Sequence, residues 1–139
     1  MRQKEALTPL IPSMAMPSIN QREVYLLPFP FGSSQGEDHP HIVLSIKDAN
    51  EHESTFLAVM ITTSKIHRDE LSFELTNEMF DKPLQKENSH VRMHLIMLVL
   101  NSEIRGKIGK PLCTMKKQYF DQLMKSIGEF VFNYEFIPL

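Results

Sequence analysis

Apolar residues in this chain fall into several short runs, and only one late segment shows the spacing of an amphipathic helix. Each run is rich in strand-forming residues and is bounded by polar or proline-containing segments, which is typical of β-strands. The predicted strands cover residues 24–29, 41–46, 56–62, 72–76 and 89–100. A further short strand is expected around Ile108, and residues 48–53 read as a turn. No alternation of strands with long helices is visible, so a small mainly β (α+β) barrel with a C-terminal helix is predicted.

The late segment has the pattern of a helix that buries one face. Phe120, Leu123 and Ile127 recur at helical spacing, while charged and amide side chains occupy the opposite side. Thr114 is placed to serve as the N-cap of this helix. The apolar stripe is expected either to pack against the core or to form a dimer surface.

The length of 139 residues favours a single domain. Residues 1–20 contain three prolines and no sustained period, which predicts a flexible N-terminal extension ahead of a barrel domain over residues 21–139. The same prolines argue against a signal peptide, and no apolar run reaches the roughly 18 residues that span a bilayer. The lone Cys113 permits no disulfide within the monomer, so we expect a packed thiol and a cytoplasmic protein.

Charge is distributed unevenly along the chain, although the formal net charge is only -2. One segment near the predicted helix, residues 105–117, holds five basic side chains and no acidic one. They are Arg105, Lys107, Lys110, Lys116 and Lys117. Two interpretations stay open, of which the first is a solvated face beside the helix and the second is a patch that binds phosphate groups.

Six histidines are the obvious candidates for a metal site. We expect strand alternation to turn His39 and His41 to opposite faces, so that they do not ligate one ion together. His90 and His94 lie four positions apart on a predicted strand, which separates them by roughly 13 Å. No zinc-binding spacing of cysteines or histidines accompanies them. The sequence therefore predicts no metal and no cofactor.

Hydroxyl side chains follow the apolar run of residues 56–62. Thr62, Thr63 and Ser64 stand in a row before Lys65. Such a cluster closes its own backbone turn in many proteins, and the spacing alone favours that interpretation. The alternative is a set of hydrogen-bond donors at the rim of a barrel.

Three longer stretches follow one another in a characteristic order. They are "REVYLLPFPFGSSQGEDHPHIVLS", "AVMITTSK" and "VRMHLIMLVLNSEIRGKIGKPL". Over about residues 22–131 the chain resembles the PemK/MazF toxins of toxin–antitoxin systems. The resemblance implies an SH3-like barrel and an endoribonuclease that cuts single-stranded RNA without metal. It also implies a homodimer, neutralisation by a small cognate antitoxin peptide, contact with operator DNA only through an antitoxin complex, and no membrane association.

The resemblance assigns site residues position by position. The catalytic threonine of the family falls on Thr62, and the catalytic arginine falls on His39, which Pro40 follows as the family motif requires. Further residues match segments that bind the RNA or line its groove. These substrate-binding positions are Ser34, Gln35, Gly36, Thr63, Ser64, Arg92 and His94.

The exchange of arginine for His39 changes the chemistry that the site can perform. An arginine is permanently cationic and forks two hydrogen bonds to a phosphate, whereas a histidine is a weaker charge but a better proton carrier. One hypothesis is a working nuclease in which His39 transfers protons and Thr62 holds the phosphate. A second is a degenerate barrel that binds nucleic acid or a partner peptide without cleaving it. A third is a domain of another role in which the motif order is coincidental.

Overall fold

A single antiparallel sheet of six strands runs through the residues that the structure describes. The computed structural model covers residues 17–29, 37–84 and 86–134. Its strands are β1 Glu23–Pro28, β2 Asp38–Val43, β3 Thr55–Thr62, β4 Ser72–Glu74, β5 His90–Leu100 and β6 Cys113–Thr114, and its α-helices are α1 Lys47–His52 and α2 Lys117–Phe130. Across the curled sheet the strand order is β4-β5-β3-β2-β1-β6. The predicted mainly β class with a C-terminal helix is confirmed, and the SH3-like barrel stays a prediction.

The most apolar strand, β3, occupies the interior of the sheet. It pairs with β2 along one edge and with β5 along the other. Phe56, Ala58, Val59 and Ile61 are all buried, and they alternate between the two faces. A strand that is covered on both faces has no need of polar alternation, which explains its nearly unbroken apolar sequence.

Two apolar clusters cover the two faces of the sheet. The first takes Val24, Ile42, Val59 and Val91 from the strands and is covered by α2. The second cluster lies on the other face and is built mainly from the alternate strand positions. Its buried members are Ile19, Tyr25, Leu27, Val43, Phe56, Ala58, Val99 and Ile104.

Helix α2 presents the predicted apolar stripe to the core. Phe120, Leu123 and Ile127 are buried in the first cluster, which confirms the helical spacing read from the sequence. The predicted N-cap is wrong, because the helix is capped at Lys116 without a side-chain hydrogen bond. Thr114 instead belongs to β6, where it pairs with Glu23 of β1, so the helix begins only after that strand ends.

The second strand starts earlier than the predicted range of residues 41–46. His39 and Pro40 pair with Leu27 and Leu26 of β1, so strand pairing already includes the residues around the proline. The chain then leaves the sheet sooner than expected and forms α1 where a turn was predicted. This shift puts His39 inside a strand and not at its entrance.

Helix α1 is fixed by a buried asparagine. The Asn50 side chain is 1% exposed, and its amide donates hydrogen bonds to the carbonyl oxygens of Ile19 at 2.9 Å and Ser45 at 3.1 Å. Ile19 is itself buried, although it falls within the predicted extension over residues 1–20. Residues 1–16 lie outside the described residues, so the extension stays a prediction for them. In the described part of the chain, no helix is long and apolar enough to cross a membrane.

A glycine-bounded turn replaces the strand predicted around Ile108. Gly106 and Gly109 have φ angles of 96° and 87°, a region that glycine adopts far more readily than other residues. The backbone N–H of Gly109 donates to the Tyr25 hydroxyl at 3.0 Å, which ties the turn to β1. Two left-handed residues three positions apart are incompatible with an extended strand, which explains the difference.

Substitution of Gly109 by alanine is expected to destabilise the protein more than the same change at Gly106. At Gly109 an added Cβ would lie 3.0 Å from Cβ of Pro17, whereas at Gly106 it would meet nothing within 4 Å. Both changes carry the cost of a left-handed backbone, about 1–3 kcal/mol each. The crowding at Pro17 adds to that cost in Gly109→Ala alone. Urea unfolding of both variants measures the difference, and equal losses would contradict the contact.

Strand β5 is longer than the segment of β3 that it pairs with. Val59 pairs with Ile96, and Ile61 pairs with Val91. Between these two pairs β3 has one residue, Met60, whereas β5 has the four residues 92–95. A surplus of this kind bends the strand away from its neighbour. Beyond the irregularity, β5 pairs with β4 on its other side, where Arg92 lies opposite Ser72.

Candidate active site

Polar side chains form one row across four neighbouring strands. Thr62 of β3 pairs with His90 of β5, and His90 pairs with Glu74 of β4. On the other side of β3, His41 of β2 pairs with Met60. Continuing this antiparallel register by two residues places His39 opposite Thr62. Residues that lie directly opposite each other share a face of the sheet, at strand spacings of about 5 Å. The sheet therefore brings His39 and Thr62 together as neighbours.

An open pocket of about 100 Å³ lies at this end of the sheet. The end of β3 forms one wall, the start of β2 forms a second, and the segment before β5 forms a third. The lining residues are His39, Pro40, Ile61, Thr62, Thr63, Leu84, Lys86 and Ser89. Of the residues that the resemblance assigned, His39, Thr62 and Thr63 line this pocket.

Thr62 is held with its hydroxyl oriented by the backbone. The residue is 8% exposed, and its Oγ1 accepts a hydrogen bond from the Ser64 N–H at 3.2 Å. Because the amide occupies a lone pair of the oxygen, the hydroxyl proton is left to donate elsewhere. Ser64 thus contributes through its backbone and does not line the pocket.

His39 is half-buried at the pocket wall. Its ring meets the Phe29 ring edge-on, with centroids 6.0 Å apart, and Nε2 lies 3.8 Å from Oε2 of Glu37. That separation is too long for a hydrogen bond. Among the described residues Nε2 has no hydrogen-bond partner, although this atom is shielded from solvent.

The expectation that His39 and His41 face opposite sides is wrong. They pair with Leu27 and Tyr25, which both belong to the second apolar cluster, and residues two apart on a strand share a face. His41 is fully buried, and its Nδ1–H donates to the carbonyl oxygen of His39 at 2.8 Å. The two side chains therefore lie in sequence along one face, with His41 behind His39.

Burial keeps His41 in its neutral form. Loss of solvent lowers the pKa of its imidazole from 6.5 to about 4, despite the favourable hydrogen bond to the His39 carbonyl. Because a carbonyl oxygen only accepts, Nδ1 carries the proton of the neutral ring. His41 is therefore a fixed hydrogen-bond donor to the backbone of His39 and not a proton carrier near neutral pH.

Arg92 and His94 lie around Asp69 and do not line the pocket. The Arg92 guanidinium is buried, and its Nη1 donates to Oδ1 of Asp69 at 2.9 Å and to the Ser72 hydroxyl at 3.2 Å. The hydrogen bond from Arg92 holds the pKa of Asp69 below its usual range, and the backbone N–H of Leu71 adds to the effect. Arg92 thus fastens β5 to the segment before β4.

His90 is a buried neighbour of Thr62 for which the sequence predicted no role at this site. Its Nδ1 lies 3.1 Å from Nη2 of Arg68, whose Nε donates to Glu74 at 2.9 Å. Because arginine only donates, Nδ1 of His90 is the acceptor and Nε2 carries the ring proton. His94, four residues along β5, is exposed, so the two histidines lie in different surroundings.

Part of the basic segment over residues 105–117 is neutralised by acids from elsewhere in the chain. Arg105 lies 3.1 Å from Asp38, and Lys117 lies 2.8 Å from Asp121 in the next turn of α2. Both pairs are exposed, which favours the solvated-face interpretation. Cys113, in the same segment, is buried as predicted, and burial raises the pKa of its thiol to about 12.

Three of the assigned residues, Ser34, Gln35 and Gly36, lie outside the residues that the structure describes. Within the described ranges, no three histidine, cysteine, aspartate or glutamate side chains are grouped so that they could hold a metal ion.

The comparison that decides the family concerns nearly the whole described chain. The model of the "PemK-like, MazF-like toxin of type II toxin-antitoxin system" matches residues 20–131. This chain belongs to the PemK/MazF toxin family. The span of the match agrees with the resemblance over about residues 22–131, which is thereby confirmed. A comparison with curated protein sequences finds no significant match.

Solved structures of MazF proteins share the fold of this PemK/MazF chain. MazF from Deinococcus radiodurans is 15% identical, with a TM-score of 0.62 over 82% of this chain and 96% of that one. An endoribonuclease from Mycobacterial species is 13% identical, with a TM-score of 0.63 over 88% and 98%. A Mycobacterial endoribonuclease in complex with its cognate antitoxin is 15% identical, with a TM-score of 0.59 over 87% and 98%. At these identities the likeness concerns the fold alone.

Proposed function

We propose that this PemK/MazF chain is a metal-independent endoribonuclease that cleaves single-stranded RNA by attack of the substrate's own 2′-hydroxyl. The observation that carries the proposal is that His39 and Thr62, which the family resemblance assigns in two separate motifs, line one open pocket. Membership of the toxin family and the fold of solved MazF endoribonucleases support it.

The reaction exchanges one phosphorus–oxygen bond for another. The 2′-oxygen bonds to phosphorus, the bond to the 5′-oxygen breaks, and the products are a 2′,3′-cyclic phosphate and a 5′-hydroxyl. One group must accept the 2′-proton, another must protonate the leaving oxygen, and donors must stabilise the charge on the pentavalent phosphate. RNA supplies its own nucleophile, which is why DNA is not a substrate of this chemistry.

The pocket divides these tasks between two kinds of side chain. The Thr62 hydroxyl donates to a non-bridging phosphate oxygen, because its own oxygen already accepts from the Ser64 N–H. His39 transfers a proton, since imidazole both accepts and releases protons near neutral pH. Its Nε2 makes no hydrogen bond to the described residues, so the ring is not committed to another group.

The remaining assignments complete the proposal. The pocket-lining Thr63 binds substrate directly, and the loop residues Ser34, Gln35 and Gly36 flank the RNA. Arg92 and His94 lie on β5 around Asp69, beyond the pocket. The exposed His94 extends the RNA-binding face, and Arg92, whose guanidinium is buried against Asp69, supports that face. Ser64 acts through its amide.

Partners follow from the family. Solved relatives include an endoribonuclease in complex with its cognate antitoxin and a MazE–MazF complex. We propose that this chain, too, is neutralised by a cognate antitoxin peptide, acts as a homodimer in the cytoplasm, and reaches operator DNA only within the antitoxin complex.

Purified protein incubated with a long single-stranded RNA in excess EDTA is expected to cleave it, leaving 5′-hydroxyl and 2′,3′-cyclic phosphate ends. The His39→Ala variant is expected to lose about 10²- to 10⁴-fold of the rate, as when a general acid or base is removed. His52→Ala, at the exposed end of α1, is the matched control and keeps full activity. End-labelled RNA on denaturing gels measures the rates.

The alternative hypothesis, a degenerate barrel that binds without cleaving, predicts a different outcome of the same assay. A degenerate site would show no cleavage at any pH while RNA or a partner peptide still binds. His39→Ala would then show the same absence of cleavage as wild type. Cleavage that survives in His39→Ala would show that this histidine transfers no proton.

A further inference from the structure

Lys86 is the cation of the pocket. It lies in the segment between β4 and β5, outside every motif of the sequence analysis, and it lines the same pocket as His39 and Thr62. Among the described residues of the lining it alone carries a permanent positive charge. Such a charge favours cleavage of a phosphodiester, because negative charge accumulates on the non-bridging oxygens as the fifth bond forms.

The backbone of Lys86 is tethered to the strand that follows it. The Ser89 hydroxyl donates to the carbonyl oxygen of Lys86 at 2.9 Å, and Ser89 is buried at the wall of the same pocket. The next residue, His90, begins β5 and pairs with Thr62. One short hydrogen-bonded turn thus holds Lys86 beside the row that contains the threonine.

Two arginines near this end of the sheet are already paired with carboxylates. Arg68 lies 2.9 Å from Glu74, and Arg92 lies 2.9 Å from Asp69. Among the described residues, no carboxylate lies within ion-pair distance of Lys86. The charge of Lys86 is therefore not neutralised within the described chain and is available to an anion in the pocket.

We infer that Lys86 binds the scissile phosphate of single-stranded RNA and stabilises its pentavalent form together with the Thr62 hydroxyl. The inference rests on the proposed function and adds that proton transfer and charge stabilisation are performed by different side chains. A histidine that carries protons is neutral for part of the cycle, so it cannot hold constant charge on the phosphate. A lysine ammonium supplies that charge as a point cation with three donors.

Two measurements on four proteins test the inference. They compare wild type with Lys86→Gln, Lys86→Arg and the control Lys47→Gln, which removes an exposed lysine from α1. The first measurement is cleavage of single-stranded RNA. The second is binding of a fully 2′-O-methylated RNA of the same sequence, which cannot be cleaved, followed by fluorescence anisotropy at several salt concentrations.

Lys86→Gln is expected to lower the cleavage rate by roughly 10²-fold. It is also expected to reduce the slope of log affinity against log salt by about 0.7, the loss of one phosphate contact on a single strand. Lys86→Arg restores the slope and most of the rate, because it keeps the charge. Lys47→Gln leaves both unchanged.

The outcomes separate the inference from the proposed function. If wild type cleaves and Lys86→Gln matches it in rate and salt slope, the inference is overturned while the nuclease stands. If no protein cleaves, yet Lys86→Gln alone loses the salt-dependent contact, the phosphate site is supported and the nuclease is refuted. If wild type does not bind the methylated RNA, the inference is overturned as well.

Discussion

Thr62→Val is expected to lower the rate of RNA cleavage by about 10²- to 10³-fold while leaving RNA binding nearly unchanged. Valine keeps the shape of threonine and removes only the hydroxyl, which we propose donates to the phosphate most strongly when the fifth bond forms. A contact that strengthens in the transition state affects turnover and not substrate affinity. The measurements are single-turnover cleavage and anisotropy with 2′-O-methylated RNA.

Two companion variants make the Thr62 result specific. Thr62→Ser keeps the hydroxyl and is expected to retain cleavage within about tenfold of wild type, since it loses only a methyl group. Thr55→Val makes the same exchange at the far end of β3 and should have no effect on cleavage. Thermal unfolding of each variant identifies any loss that comes from instability. Full cleavage by a folded Thr62→Val would refute the role of the hydroxyl.

Acid is expected to destabilise the fold through His41 by about 3 kcal/mol at most, since each pKa unit corresponds to 1.36 kcal/mol. Burial lowers the pKa of His41 from 6.5 to about 4, so between these values the unfolded chain binds a proton that the folded chain refuses. Stability from this group is therefore complete above pH 6.5 and is lost as the pH falls towards 4. Urea unfolding at a series of pH values measures the slope.

The variant His41→Gln is expected to flatten this slope, because glutamine does not titrate. Its absolute stability is expected to be lower, since it disturbs the hydrogen bond to the His39 carbonyl, so the readout is the pH dependence alone. His52→Gln, at the exposed end of α1, controls for the removal of a histidine. An unchanged slope in His41→Gln would show that other groups cause the acid sensitivity.

The sequence was sufficient for the elements whose own pattern decides their structure. The apolar run of β3 is short, rich in strand-forming residues and bounded by polar segments, which predicts a buried strand. The spacing of Phe120, Leu123 and Ile127 predicts a helix face, and all three are buried. The resemblance correctly predicted the family. It also assigned His39 and Thr62 to one site, and the register of β2 and β3 now provides a structural reason for their proximity.

The parts that the sequence missed depend on long-range pairing. Thr114 has the side chain of an N-cap, but pairing with Glu23 takes it into a strand. Lys86 lies in an irregular segment with no period, and only the tether to Ser89 and the return of the chain into β5 place it at the pocket. The pairing of His90 with Thr62 likewise depends on the register between β3 and β5. The extra residues 92–95 of β5 make that register irregular, so the sequence pattern does not predict it.

If the chain cleaves RNA as we propose, the row of polar side chains across β2, β3, β5 and β4 makes that activity depend on the pairing of distant strands. Its members are spread from His39 to His90 along the chain, so closing the row requires contacts of high sequence separation, the kind that form slowly. A nascent chain that has emerged only as far as β3 has Thr62 but neither Lys86 nor the strand that supports it. A nuclease of the proposed kind, made beside messenger RNA on the ribosome, would therefore stay inactive until β5 is in place.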